Sequence, residues 1–258
     1  MKILALNATY RPAQTTTQLA RKALEGAASV GAETEMVLLR ERRIEYCTNC
    51  LACYRDLESE IPACPLKDEM DDLLAKVRDA DGILFASPVH NGFVTGLLTV
   101  FFERLAWRVM RPSGTFLGMA MGMRSRLASK TRALAAILNP GGMPQRLRRF
   151  CDDGTPWLKS NAPLMLHGQW VGDMYAGAVL TRVPQTEADW NGIYGLRRLA
   201  PEQLDEAFRL GVRLAEAAGS GMLRPVTLDT MTGPISKVVF GFISRFRRPY
   251  PTLPVSRP

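Results

Sequence analysis

Four of the chain's five cysteines lie within eighteen residues, at spacings typical of metal or redox chemistry. Cys47, Cys50 and Cys53 form a C-x2-C-x2-C run, and Cys64 follows after ten intervening residues. Three thiolates so spaced can surround a 4Fe-4S cubane cluster. Zinc sites usually combine two cysteine pairs, which this segment does not contain. Three interpretations stay open: a 4Fe-4S cluster held by all four cysteines, four reduced thiols in a loop and, least favoured, zinc.

A second group of reactive side chains follows the first apolar run and opens a helical pattern. Thr9, Thr15 and Thr16 supply hydroxyl donors, and Arg11 supplies a charged one. A helix N-terminus adds free backbone N–H groups, which together suit a phosphate. The segment lacks both the G-x-G-x-x-G pattern and a P-loop lysine, so a monophosphate fits better than a pyrophosphate. The equally weighted alternative is that Thr15 or Thr16 simply caps the helix.

A third segment has an unusual backbone composition, with Pro88 and Gly92 flanking Val89, His90 and Asn91. Its amides can face a flat heterocycle, and the alternative is an ordinary turn between a strand and a helix. His90 alone would more often be a surface or core histidine than a catalyst.

These segments need elements to position them, and the chain alternates strand and helix patterns. Strands are predicted over 2–8, 34–39, 82–87, 132–138 and 165–171. Pro88 is expected to end the third strand. Helices are predicted over 16–30, 68–78, 96–110 and 201–218. Such alternation predicts an α/β protein with a doubly wound, five-stranded parallel sheet. Ligands bind such sheets at the carboxyl ends of the strands, so we expect the site in the loops that follow the first, third and fourth strands.

Composition excludes several other classes of protein. The 258 residues are 47% hydrophobic and 22% charged, which is ordinary for a globular protein and unlike a disordered, collagen-like or disulfide-stapled chain. No apolar run approaches the roughly 20 residues that cross a bilayer. The apolar stretch after Met1 is too short for a signal-peptide core, so we expect a cytoplasmic protein.

The net charge of +8 is concentrated at the C-terminal end, where residues 222–258 carry +5. Because the rest of the chain is close to balanced, nucleic-acid binding is not expected. The tail has an apolar helical face with basic residues around it: Ile235, Val238, Val239, Phe242, Ile243 and Phe246, with Lys237, Arg245, Arg247 and Arg248. We predict a domain over 1–221, with a cysteine-rich excursion at 44–66, and a helical arm over 222–258. Docking of the arm on the body or another subunit is favoured over contact with a membrane surface.

The ordered motifs resemble a known group of proteins. Residues 83–98 are similar to the G-S-P-V-Y-x-G-x-v-s-G-x-l segment of NADPH-dependent FMN reductases and iron–sulfur flavoproteins, which are flavodoxin-like. Residues 8–11 and 14–16 align with the G-S-P-R and G-N-T parts of the family's first loop. The cysteines followed by Pro65-Leu66-Lys67-Asp68-Glu69-Met70 resemble C-x2-C-x2-C-x(n)-C-x-x-K-D-D-M. The resemblance covers about residues 1–142 well and 193–218 more loosely.

This resemblance implies FMN and a sheet of strand order 2-1-3-4-5. It assigns the FMN phosphate to Thr9, Arg11, Thr15 and Thr16. It assigns the isoalloxazine ring to Pro88, Val89, His90, Asn91 and Gly92, and a third, glycine-rich loop to Gly141 and Gly142. The sequence departs from the pattern at Ala8 and Gln14, where the family has glycine, at Tyr10, where it has proline, and at His90, where it has tyrosine.

The implied activity is electron transfer from NADH or NADPH through FMN to a small acceptor, such as a quinone, a nitro compound or free flavin. Flavin N5 would carry the chemistry, so no catalytic side chain is assigned and His90 is only a contact at the flavin edge. A homo-dimer or homo-tetramer is expected. The alternative is an iron–sulfur flavoprotein that carries electrons between partner proteins without using NAD(P)H directly.

Overall fold

A computed structural model describes residues 1–116, 119–120 and 122–227. The predicted arm over 222–258 therefore lies mostly outside the described residues, including all six of its apolar helix positions.

Five parallel strands form the centre of the fold: β1 (Lys2–Asn7), β2 (Glu33–Leu38), β3 (Gly82–His90), β4 (Arg132–Asn139) and β5 (Gly168–Tyr175). Their order is β2-β1-β3-β4-β5, which confirms the predicted 2-1-3-4-5 arrangement. In the register of the sheet, Asn7 lies opposite Ala86, and Ala86 lies opposite Ile137. The carboxyl ends of β1, β3 and β4 therefore meet at one edge, as the prediction of a site there requires.

Five helices cover the two faces of the sheet: α1 (Thr15–Ser29), α2 (Met70–Asp79), α3 (Gly96–Val109), α4 (Gly154–Leu166) and α5 (Pro201–Gly219). Ile3 and Ala5 of β1 pack into a cluster with α1 and α5. The alternate residues Leu4 and Leu6 pack into a second cluster with α2, α3 and α4. The period of two in β1 thus supplies two buried faces, which confirms the doubly wound fold.

Glycine allows α1 and α5 to approach closely on their face of the sheet. A Cβ on Gly211 would lie 1.7 Å from the Ala23 carbonyl oxygen, and one on Gly26 would lie 2.1 Å from that of Phe208. Any larger residue at either position would force the two helices apart.

Shorter elements decorate this framework. Strands are formed by Phe93–Val94, Met110–Pro112, Thr115–Phe116, Met119–Ala120, Met123–Ser125, Val179–Leu180 and Arg197–Arg198, and short helices by Arg148–Cys151 and Glu187–Asn191. Within the described ranges, no helix is both long and apolar enough to cross a membrane.

Two predictions of element boundaries are wrong. β3 does not end at Pro88 but continues to His90. Its neighbour β1 pairs with it only as far as Ala86, so Pro88 faces an unpaired edge on that side and its missing N–H costs no ladder bond there. The strand predicted over 165–171 instead begins at Gly168, because Met165 and Leu166 form the last turn of α4.

Candidate functional site: a cleft at the sheet edge and a cysteine pocket

An open cleft of about 200 Å³ lies at the carboxyl edge of the sheet. It brings together eight of the predicted cofactor residues, namely Thr9, Arg11, Thr15, Thr16, Pro88, Val89, His90 and Gly141. Its other lining residues are Gln14, Asn139, Pro140, Tyr194 and Arg197. Asn91, Gly92 and Gly142 lie beside the cleft rather than in its lining.

The loop between β1 and α1 forms one wall of this cleft. Thr9, Thr15 and Thr16 are buried, and Thr9 is held by a hydrogen bond from its N–H to Asn7 Oδ1 at 3.1 Å. The N-cap residue of α1 is Gln14, and no side chain caps the helix. The capping interpretation of Thr15 and Thr16 is therefore wrong. No acidic residue in the first turn offsets the positive end of the helix, so this wall favours an anion.

Tyr10 and His90, both departures from the family pattern, contact each other, and only His90 of the two lines the cleft. Their rings stack with centroids 5.6 Å apart and planes 11° apart. The two departures from the family pattern are therefore in direct contact, with the Tyr10 ring of the first loop stacked on the His90 ring of the second.

The end of β3 forms the second wall through a tight hairpin. His90 pairs with Phe93 and Val89 with Val94 in antiparallel register. Asn91 and Gly92 occupy the turn with φ values of 52° and 79°, the left-handed pair that a type I′ turn requires. The turn holds Pro88, Val89 and His90 in the cleft lining while Asn91 and Gly92 remain at its tip.

The loop after β4 forms the third wall. Asn139 is buried, and its Oδ1 accepts a hydrogen bond from the Gly141 N–H at 3.0 Å. Its Nδ2 is buried without a partner among the described residues. An unpaired buried amide beside a cleft fits a ligand with an acceptor atom, such as the carbonyl groups of a flavin ring. Gly141 has a φ of 71°, which favours glycine at this position.

Tyr194 and Arg197 line the cleft from a segment that no sequence motif assigns to it. Arg197 lies on a short strand whose Arg197–Arg198 residues pair with Val179–Leu180 after β5. No local motif marks this pairing, and the only signal in the sequence is two arginines beside a tyrosine.

All four predicted metal-ligand cysteines line one small pocket of about 20 Å³. Cys47, Cys50, Cys53 and Cys64 share it with Arg104, Trp107 and Arg108 of α3. Across the described ranges, no three His, Cys, Asp or Glu side chains are arranged to hold a metal ion. The structure thus collects the four thiols without forming a single-ion site.

The thiols in this pocket differ in their environment. Hydrogen bonding from the backbone N–H of Ala52 lowers the pKa of Cys50, which is exposed. Burial raises the pKa of the Cys53 thiol. Cys64 Sγ accepts a hydrogen bond from Arg104 Nη2 at 3.5 Å, so a guanidinium already contacts one sulfur.

Buried arginines fix the cysteine pocket to the body of the protein. Arg104 Nη1 lies 2.5 Å from Asp68 Oδ2, and both side chains are 2% exposed. The same Nη1 donates to the carbonyl oxygen of Glu45 at 2.7 Å. Arg108 pairs with Asp71, but its Nε and Nη1 are buried without a partner among the described residues. The pocket therefore contains positive charge that its own carboxylates only partly satisfy.

The known proteins that this chain resembles in sequence are flavin proteins. Residues 1–144 match the family described as NADPH-dependent FMN reductase. An iron–sulfur flavoprotein of Methanocaldococcus jannaschii is 36% identical over 104 residues, which are 40% of this chain and 51% of that protein. The chain spans about half the length of the curated relatives it matches.

Solved structures share the fold at low sequence identity. An NAD(P)H:quinone oxidoreductase from Methanothermobacter marburgensis aligns with a TM-score of 0.57 at 16% identity, over 83% of this chain and 98% of that one. An FMN-dependent NADH-azoreductase from Bacillus anthracis, in complex with FMN, aligns with a TM-score of 0.53 at 14% identity, over 83% of this chain and 100% of that one. At these identities the likeness shows the fold alone.

The family match spans more than half of the chain and includes all three loops that line the cleft. The chain belongs to the NADPH-dependent FMN reductase family, with the flavodoxin-like fold of that family.

Proposed function

We propose that the protein is an FMN-dependent oxidoreductase that takes electrons from NADH or NADPH and passes them to a small acceptor. The observation that carries this proposal is the convergence of the three family loops on one cleft that has an anion-favouring wall. Quinones, nitro compounds and free flavin are the acceptor classes that fit a flavin reductase. Family membership and the curated name of the relative support a flavin protein, while the acceptor is a proposal of ours.

Within this proposal, each wall of the cleft has its own task. Thr9, Arg11, Thr15 and Thr16 hold the FMN phosphate at the positive end of α1. Pro88, Val89 and His90, with the Asn91–Gly92 turn, support the ring, and Gly141 and Gly142 close its other side. When bound, FMN supplies the redox chemistry, since its ring accepts a hydride at N5. The protein binds and orients the ring, and no side chain is assigned a proton-transfer role.

Denaturing the purified protein after incubation with FMN tests the cofactor directly. We expect about one FMN per chain in the released fraction; no flavin would contradict the proposal. Arg11→Ala should weaken FMN binding by about 1.5–3 kcal/mol, the range for a hydrogen bond to a charged group. Arg21→Ala, on the exposed side of α1, is the matched control and should leave the dissociation constant unchanged.

A second candidate function is electron transfer between partner proteins through FMN and a 4Fe-4S cluster. The observation that favours it is the single pocket that contains all four cysteines and the unpaired donors of Arg108. The donor set fits a cluster, because its four irons take one thiolate each and a net negative cluster suits buried guanidinium groups. Cys47, Cys50, Cys53 and Cys64 would hold it, and the cluster would supply one-electron transfer.

Iron analysis and rapid kinetics separate the two candidates. Anaerobic preparation should give about four iron atoms per chain if a cluster binds. Cys50→Ser should then abolish the cluster absorption, while Cys151→Ser, outside the pocket, should not. Iron-free protein with all four thiols titratable after anaerobic reconstitution would exclude the cluster. Rapid bleaching of the flavin band by NADH or NADPH supports the reductase, and reduction only by a protein donor supports the carrier.

We further propose a homo-oligomer in which residues 222–258 dock on a neighbouring subunit. Six large apolar side chains on one predicted helix face need burial, and an isolated helix of that length is marginal in water. Deletion after Gly221 should reduce the oligomer size measured by light scattering. An unchanged oligomer, together with binding of the intact protein to anionic vesicles, would favour the membrane-surface alternative instead.

A further inference from the structure

We propose that Arg197, held in place by Tyr194, is a second cationic ligand of the FMN phosphate, supplied by the chain beyond the family-matched residues 1–144. The inference rests on the proposed FMN function. It assigns a binding role to a segment that lies outside the family match.

Contacts with distant parts of the chain place residues 194–197 at the cleft. The Thr181 N–H donates to the Leu196 carbonyl at 2.8 Å, and Arg197 pairs with Leu180. The Ala178 N–H, two residues earlier than Leu180, donates to the Gly141 carbonyl at 2.6 Å. The segment is therefore tied to the third wall of the cleft, and both Tyr194 and Arg197 line the cleft itself.

The positive charge of the cleft suits a dianionic ligand. Its thirteen lining residues include two arginines, Arg11 and Arg197, and no aspartate or glutamate. Among the described residues neither arginine has a carboxylate partner, and Arg197 Nε is buried without any hydrogen-bond partner. A phosphate monoester carries about −1.5 to −2 charges near neutral pH. One guanidinium with a helix terminus leaves part of that charge unmatched, and a second guanidinium balances it.

Tyr194 keeps the two like charges close without neutralising them. The Arg11 guanidinium lies 3.4 Å from the centre of the Tyr194 ring, and that of Arg197 lies 4.8 Å from it. Both distances are within the range of cation–π contacts. A carboxylate in this place would compete with phosphate, whereas an aromatic face orients the cations and leaves their N–H groups to the ligand.

Gly141 provides the space that Arg197 occupies. A Cβ at Gly141 would lie 2.6 Å from Arg197 Nη1, so the guanidinium rests directly on the backbone of the third wall. A side chain at this position would therefore have to displace the guanidinium.

Titration of flavin-free protein with FMN and with riboflavin, which lacks the phosphate, tests the inference. Arg197→Gln should raise the FMN dissociation constant about 10- to 100-fold, as expected for a lost charged hydrogen bond, and leave that of riboflavin unchanged. Arg198→Gln is the matched control, because Arg198 is exposed and, among the described residues, donates to the Gly195 and Arg197 carbonyls. Tyr194→Phe should retain FMN affinity, whereas Tyr194→Ala should lose part of it.

The outcomes are separable from failure of the proposed function. Wild-type protein that binds no FMN would overturn the proposed function and this inference with it. Wild-type protein that binds FMN while Arg197→Gln binds it within twofold as well would overturn the inference alone. Equal losses for FMN and riboflavin would also overturn it, because they would place Arg197 at the ring. Thermal unfolding of each variant and of Arg197→Lys shows whether a loss comes from misfolding, and the lysine variant should recover part of the FMN affinity.

Discussion

The cleft at the sheet edge and the cysteine pocket both contain arginines, but the arginines are partnered differently in the two places. In the cysteine pocket Arg104 is sealed against Asp68, with both side chains 2% exposed. In the cleft Arg197 has a buried Nε without a hydrogen-bond partner among the described residues. A buried arginine that is paired with a carboxylate fixes one segment of the chain to another. A buried arginine that has no carboxylate partner is available to bind an anionic ligand. Arg108 combines the two, since it pairs with Asp71 and also has two unpartnered donors.

The two regions are also positioned by different parts of the fold. Three loops reach the cleft from the ends of adjacent parallel strands, so the sheet itself positions them. The cysteine excursion leaves the sheet after β2 and returns at α2, and it is held by side-chain pairs to α3. We therefore expect changes in the first region to alter affinity and changes in the second to alter stability.

The largest expected effect is on the anchor of the cysteine pocket. Arg104→Ala leaves the Asp68 carboxylate buried without its partner and should lower the free energy of unfolding by about 3–5 kcal/mol. Arg78→Ala is the matched control, because its pair with Asp79 is exposed and should contribute at most about 1 kcal/mol. Urea denaturation measures both variants, and similar losses would show that the Arg104 pair does not anchor the excursion.

A smaller effect is expected in the cleft. Gly141→Ala places a side chain at a left-handed φ of 71°, which costs about 1–2 kcal/mol, and displaces the Arg197 guanidinium. We expect weaker FMN binding together with a modest loss of stability. Gly31→Ala is the matched control: its φ of 85° is also left-handed, but no described atom lies within 4 Å of the new Cβ, so that variant should lose a similar amount of stability and bind FMN like the wild type. Equal behaviour of the two variants in FMN titration would remove the special role of position 141.

The smallest expected change comes from titrating Asp68. Burial acts to raise the pKa of this carboxyl, but hydrogen bonds from Arg104 and from backbone N–H groups outweigh burial and lower it. A lowered folded-state pKa stabilises the protein above the unfolded value of about 3.9, and that contribution is lost as the pH falls through the folded value. The stability difference between wild type and Asp68→Asn should therefore shrink below about pH 4. A difference that stays constant on acidification would show that the charge of Asp68 is not what holds the pair.

The sheet and the three loops were predictable because their signals are local. Apolar runs of β1, β3 and β4 alternate with helical patterns, and the loop motifs begin where those runs end. α4 was missed because Pro163 lies inside the helix and the short apolar run 164–166 reads equally well as a strand. This segment is a helix because it packs against the sheet, and that contact cannot be read from the local sequence.

The residues that the sequence did not place depend on contacts between distant segments. Tyr194 and Arg197 reach the cleft because Arg197–Arg198 pairs with Val179–Leu180. No sequence motif near these residues indicates a ligand-binding site. Arg104 sits on a helix with a clear apolar face, where an arginine would ordinarily be expected to point to solvent. It is buried because Asp68, 36 residues earlier, satisfies it.

The central claim is that the cleft binds a flavin through its phosphate, and one titration tests it most directly. Flavin-free protein is titrated with FMN and with riboflavin while flavin fluorescence is recorded. We expect one FMN per chain and riboflavin binding at least about tenfold weaker, because riboflavin lacks the phosphate and its charged hydrogen bonds. Equal affinity for the two flavins, or no change in fluorescence with either, would contradict it.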